Sequence, residues 1–186
     1  MMPRQKGFTL IELLVTVAIA AILVTLAAPS FTAFFAKKRV EGVISELVTD
    51  LQYARSEAVQ RNTSIQITLG TNCYVIHDLK SITEVASNTI SCSQDPLTAS
   101  SPDDDTHLKT VKIAAGSPAT FSPSTGTIVF DPVRGMATIS GDPTNITITA
   151  TSSVGSWDLR ANITKMGRVK TCSPAGAGNV TGYSSC

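Results

Sequence analysis

Hydrophobic and polar positions divide the chain into three textures. Residues 8–36 are almost wholly apolar, and no charge occurs between residues 13 and 28. Across residues 40–62 the period changes. Val40, Val43, Ile44, Leu47, Leu51, Ala54 and Ala58 recur at spacings of three and four, while Glu41, Ser45, Asp50, Gln52 and Arg55 fall largely outside that stripe. This predicts an amphipathic helix whose apolar stripe packs on a sheet. Arg61 in its last turn and Asn62 just after it predict the helix stop. Beyond residue 62, runs rich in Thr, Ser, Val and Ile alternate with turn residues. Residues 64–69 and 73–77 predict a hairpin. Further strands are expected at 111–114, 126–130, 137–139, 145–150, 156–163 and 168–171, and residues 80–107 read as irregular. The expected fold is α+β: a long N-terminal helix packed on one β-rich head spanning 63–186, long enough for a single core.

The first segment is long enough to cross a bilayer. Residues 8–35 are about 28 in number, or roughly 40 Å as helix, against a hydrocarbon core of roughly 30 Å. Arg4 and Lys6 precede it, which predicts an N-terminus held inside and the bulk of the chain outside. Residues 8–36 therefore read as a transmembrane helix and 37–62 as the amphipathic helix. Lys37-Lys38-Arg39 reads as a solvated or headgroup-level anchor. One acid, Glu12, lies near the start of the apolar run, and an acid in lipid marks a functional position. A cleaved signal peptide is the plainer alternative, with residues 26–28 as a weak cleavage site. An apolar region interrupted by Glu12 and leading straight into a second helix argues against it. Pro29 deletes a backbone donor and is expected to kink or open the helix.

The string Gly7-Phe8-Thr9-Leu10-Ile11-Glu12-Leu13-Leu14-Val15 resembles the class III signal of type IV pilins and type II secretion pseudopilins. The segment Asp50-Leu51-Gln52-Tyr53-Ala54-Arg55-Ser56-Glu57-Ala58 resembles the minor branch of that family, GspH/FimT/FimU-like. The resemblance implies a leader at 1–7 removed by a prepilin peptidase after Gly7, and N-methylation of Phe8. It also implies a role for Glu12 in subunit assembly and for Pro29 in curvature within a packed filament. The implied location is the inner membrane, single-pass with a periplasmic head, and then the extracellular pilus. The implied partners are other minor pilins and the major pilin.

Four cysteines, Cys73, Cys92, Cys172 and Cys186, lie beyond the helix. An even count in an exported domain predicts disulfides, and three connectivities are open. Nearness in sequence favours Cys73 with Cys92 and Cys172 with Cys186. The second bond would staple the Gly/Ser-rich tail, a loop worth about 3 kcal/mol in the chain-entropy model. No Cys-x-x-Cys occurs and His77 and His107 are isolated in sequence, so no metal and no cofactor are expected.

Charged residues make up 16% of the chain and the net charge is +1, which gives no global case for nucleic acid. No hydrolase, nucleotide-binding or zinc-protease motif is present, so no enzyme is expected. Asp103-Asp104-Asp105 reads as a solvated loop, with calcium as the alternative. The string Gly167-Arg168-Val169-Lys170-Thr171-Cys172 resembles a basic segment of FimT- and FimU-like minor pilins, which contacts DNA in some FimT-like members. Arg168 and Lys170 alternate along a strand and Lys165 precedes them, a pattern able to hold phosphates. Tyr183 is the one aromatic residue available for base stacking. Lysine in place of arginine at 170 keeps the charge but loses the planar fork. Three functions follow: a minor pilin that helps initiate assembly at the tip, a DNA-uptake pilin, and an H-type pseudopilin of type II secretion.

Overall fold

A computed structural model describes residues 7–70, 72–79, 107–114, 117, 119–122, 126–139, 145–176 and 178–186. Helix α1 (Leu10–Arg61) is followed by β1 (Ser64–Gly70), β2 (Cys73–Leu79), β3 (His107–Lys112), β4 (Ala119–Ser122) and β5 (Gly126–Phe130). β6 (Ala137–Ile139), β7 (Asn145–Ser152), β8 (Asp158–Thr164) and β9 (Val169–Cys172) complete it. The chain forms two compact units, Met1–Phe35 and Ala36–Cys186.

The first unit is helical from Leu10, and its large apolar side chains are exposed. Neither Leu10–Leu26 nor Ser30–Arg61 alone is long and apolar enough to cross a bilayer; together they have the length and composition to do so. The hydroxyls of Thr16 and Thr25 donate to the carbonyls of Leu13 and Ile22, both at 2.8 Å. A polar group within lipid must be satisfied internally, and these are. The side chains of residues 27–29 lie outside the described set, and the expected kink at Pro29 falls there.

The second unit holds the core. One five-stranded sheet runs β3-β2-β1-β5-β6 and one four-stranded sheet runs β4-β7-β8-β9. All pairings between these strands are antiparallel. Alternation sets the faces: Ile65, Ile67 and Leu69 of β1 enter the core. The helix stripe fits that expectation, since Val40, Ile44, Leu47, Leu51, Ala54 and Ala58 are all buried against the same cluster. Leu159, Ala161 and Ile163 of β8 bring in the second sheet, and Val180 of the tail closes it. Asn62 stops the helix with φ 52°, a left-handed conformation that asparagine tolerates.

Several expectations are corrected. The strand expected at 111–114 is β3, which begins four residues earlier at His107. Its residues are all half-buried or exposed, as at a sheet edge, so strict alternation is lost. Strand β4 was not anticipated; it has four residues and pairs only with β7. Asp50, outside the apolar stripe, is 4% exposed. The two histidines, isolated in sequence, are cross-strand partners in β2 and β3. The basic run after the first unit is not simply a headgroup anchor. Lys37 Nζ donates to Thr181 Oγ1 at 2.7 Å and lies 5.6 Å from the Trp157 ring centre, a cation–π contact. Lys38 pairs with Glu41 at 2.7 Å, and Arg39 Nε reaches Ser117 Oγ at 3.4 Å. Each of the three cations has a bonding partner within the second unit, and only that of Lys38 is an acid. The Asp103-Asp104-Asp105 run lies outside the described residues.

Candidate functional site

The expected residues fall into two groups, one in each unit. In the N-terminal group, Gly7 and Phe8 are exposed and precede the helix. Thr9 caps it: the backbone N of Glu12 donates to Thr9 Oγ1 at 3.3 Å, and Leu13 N donates to Thr9 O at 3.2 Å. Thr9-Leu10-Ile11-Glu12 has the spacing of a capping box, with the acid in the first turn where the helix dipole favours a negative charge. The cap is legible in the sequence as Thr-x-x-Glu. Phe8 stands outside the helix, so the four-residue spacing to Glu12 is not a helical one in this unprocessed chain.

The C-terminal group is built on turns. Thr164 and Arg168 close the β8–β9 connection: Thr164 N donates to Arg168 O at 3.0 Å and Gly167 N donates to Thr164 O at 2.8 Å. Lys165, Arg168 and Lys170 are all exposed. Lys170 sits on edge strand β9, where a lysine also discourages pairing with another chain. The neighbouring β5–β6 turn is joined to this one through Ala137 N, which donates to Lys165 O at 2.8 Å.

Two glycines let the turns meet under the helix. Gly167 has φ 70° and a Cβ there would fall 2.5 Å from Gly135 O; Gly135 has φ 59° and a Cβ there would fall 2.9 Å from Arg55 Nε. Backbone closeness makes glycine a requirement at 167, while at 135 a side chain would have to displace Arg55. Arg55 lies across the pair and reaches Gly167 O at 3.5 Å. Its guanidinium ties α1 to both turns. With Gln52, Ser56, Val59, Arg168 and Val169 it borders a shallow groove of about 430 Å³. Tyr183 is not part of this region. It packs on the core and acts on Lys38, which is 17 residues before Arg55 on α1, about 25 Å away along the axis. The expected aromatic partner for Arg168 is thus at the other end of the head.

Cys172 and Cys186 are bonded, with Cα atoms 5.1 Å apart and a separation of 14 positions in sequence. Ser173 organises the loop they close. Its hydroxyl donates to Asp158 O at 3.1 Å and accepts from Val180 N at 2.8 Å. Its N donates to Ser184 O, and its O accepts from Cys186 N. Cys73 is also disulfide-bonded; Cys92, its expected partner, lies outside the described residues. No group of three or more His, Cys, Asp or Glu side chains is placed to hold a metal among the described residues.

A capped apolar helix that bears a first-turn acid and continues into a β-rich head is the architecture of a pilin-like subunit. The prokaryotic N-terminal methylation motif matches residues 2–28. The family model described as Type II transport protein GspH matches residues 43–167. That match spans most of the chain, and the chain belongs to the GspH family of pilin and pseudopilin structural components. Two curated relatives named fimbrial protein, from Pseudomonas aeruginosa, are 41% identical over 64 residues. These 64 residues are 34% of this chain and 41% of the length of each relative. Two crystal structures of the type IV minor pilin FimU from Pseudomonas aeruginosa strain PAO1 are also similar. One is 20% identical, covers 74% of this chain and 98% of that chain, and has a TM-score of 0.48. The other is 18% identical, covers 77% and 98%, and has a TM-score of 0.49. These likenesses carry no functional inference. The methylation motif implies anchoring at the inner membrane.

Proposed function

We propose that this chain is a minor subunit of a type IV pilus that helps initiate assembly and sits at or near the tip. The leader ends at Gly7, Phe8 becomes the methylated N-terminus, and residues 8–36 hold the subunit in the inner membrane with its head in the periplasm. The observation that carries this reading is the methylation motif over residues 2–28 joined directly to a GspH-type head. The relatives named fimbrial protein favour a pilus over a secretion apparatus.

Glu12 is the working residue of the first unit. Cleavage after Gly7 creates a cationic amine at Phe8, close to the first turn. An acid and an amine that neutralise each other between subunits are tolerated in lipid and favour packing over dispersal. Glu12→Ala is expected to leave membrane insertion intact and to lower filament incorporation by about tenfold or more, the effect of ~1.4 kcal/mol of lost pairing. Immunoblots of membrane and sheared-filament fractions measure both; unchanged incorporation removes this role.

A DNA-uptake role is the second reading, favoured by the common exposure of Lys165, Arg168 and Lys170. The third, an H-type subunit of type II secretion, is favoured by the description of the family itself. A deletion strain separates them: loss of twitching, of transformation, or of enzyme export with pili intact.

A further inference from the structure

Among the described residues, the two most exposed large apolar side chains of the head are Val133, 79% exposed, and Met166, 70% exposed. They occupy neighbouring turn tips, β5–β6 and β8–β9, which Ala137 N and Lys165 O join. Both tips are rigidly built. Asp131 Oδ1 accepts from Val133 N at 2.8 Å, Gly135 N donates to Asp131 O at 2.8 Å, and Arg55 lies over both glycines. Each apolar tip has a cation next to it in sequence, Arg134 beside Val133 and Lys165 beside Met166, and Arg168 follows. Among the described residues the nearby acids are Glu57, paired with Arg61 at 2.6 Å, and Asp131, which keeps its charge while accepting from Val133 N; Arg134, Lys165 and Arg168 outnumber it. Val133 and Met166 stand on turns joined by a backbone hydrogen bond, and methionine and arginine are enriched in protein interfaces.

Charge decides what fits there. Subunits in a helical filament meet head-to-tail, one surface against a different surface of the next. The far end of this head, about 27 Å along α1 from Arg55, is also basic. Lys37 and Arg39 bond the neutral hydroxyls of Thr181 and Ser117, which leave their charges in place. Lys112 borders the groove beside Arg39; the described acids nearby are Glu41, paired with Lys38, and Glu46, which lines the groove 3.7 Å from Lys109. Stacking a second copy would set cations against cations, and like-charge contacts are strongly disfavoured.

We propose that the paired turns at the Arg55 end of the head, with Val133 and Met166 at their tips and Arg134, Lys165 and Arg168 beside them, dock a different pilin subunit that presents carboxylates around an apolar contact. The proposal rests on the minor-subunit reading and adds the surface, the partner's chemistry and the exclusion of self-stacking.

The test uses the full chain in cells, with a benzophenone amino acid at position 133 or 166 and the adducts identified by mass spectrometry. The expected product is a covalent adduct with another pilin subunit, through a segment that carries Asp or Glu. Its yield should fall about tenfold in Arg134→Glu with Arg168→Glu, and less in Arg134→Gln with Arg168→Gln. Adducts with a second copy, with phospholipid or with DNA overturn the docking proposal. So does the absence of any adduct in filaments that contain the chain. If the unsubstituted chain is missing from sheared filaments, the minor-subunit reading falls and the docking surface with it.

Discussion

Asp50→Ala is expected to destabilise the head by about 3 kcal/mol, because the carboxylate is a buried junction and not a surface charge. Tyr74 Oη donates to Asp50 Oδ2 at 2.6 Å, and Lys109 Nζ donates to Asp50 Oδ1 at 2.7 Å. Those contacts tie α1 to β2 and β3. Removing the acid leaves a fully buried phenol hydroxyl without its acceptor, which alone costs roughly 1–3 kcal/mol. Lys109 contributes less, since its side chain is 39% exposed and screened by water. Urea unfolding of Ala36–Cys186 checks this: the midpoint should fall while the slope stays constant. A shift under 0.5 kcal/mol would show that the junction is not structural. Burial, and then the bond to Asp50, push the Tyr74 phenol well above its ordinary range. A group with a raised folded-state pKa contributes stability that is fully present below its unfolded value, about 10, and is lost as pH rises beyond it. The wild type should therefore weaken in alkali above about pH 10, and Tyr74→Phe should flatten that decline.

Loss of the Cys172–Cys186 bond is expected to have a similar magnitude, by a different route. In the chain-entropy model a loop of this length is worth about 3 kcal/mol. The loop also carries contacts that have no other support: Val180 in the core, Thr181 on Lys37, and the bonds of Ser173. In Cys186→Ser the tail should open, withdraw Val180 from the core and release Lys37 from Thr181. The unfolding midpoint should drop by an amount equal to about 2–5 kcal/mol. Hydrogen exchange should rise at Val180 and at Asp158, whose N donates to Gly178 O at 3.0 Å. An unchanged midpoint and intact protection at Val180 would show that packing alone holds the tail.

Much of the fold was legible because it is written locally. The stripe from Val40 to Ala58 carries the helical period, Ile65, Ile67 and Leu69 carry the strand period, and Asn62 supplies a stop that tolerates a left-handed residue. Nearness in sequence was enough to pair Cys172 with Cys186. What escaped depends on partners distant in the chain. Asp50 looks solvated until Tyr74, 24 residues on, and Lys109, 59 residues on, arrive beside it. Arg55 looks like an outward-facing helix residue until Gly167, 112 residues away, comes under it. Edge strand β3 is half-exposed along most of its length and shows no clean period of two; β4 alternates, with Ala119 and Phe121 buried and Thr120 exposed, but has only four residues. The Gly-Arg-Val-Lys segment was visible as a motif, but the pole it shares with Val133 and Arg134 exists only once two turns from different sheets meet.

The proposed pairing of Glu12 within a filament requires processing at Gly7, which would expose a new N-terminus at Phe8. Intact mass and N-terminal sequencing of the protein from sheared pili and from membranes test it most directly. The expected product begins at Phe8 and is heavier than the unmodified residue by one methyl group. A protein that still begins at Met1, or that starts after Ala28 with the apolar helix removed, would contradict it.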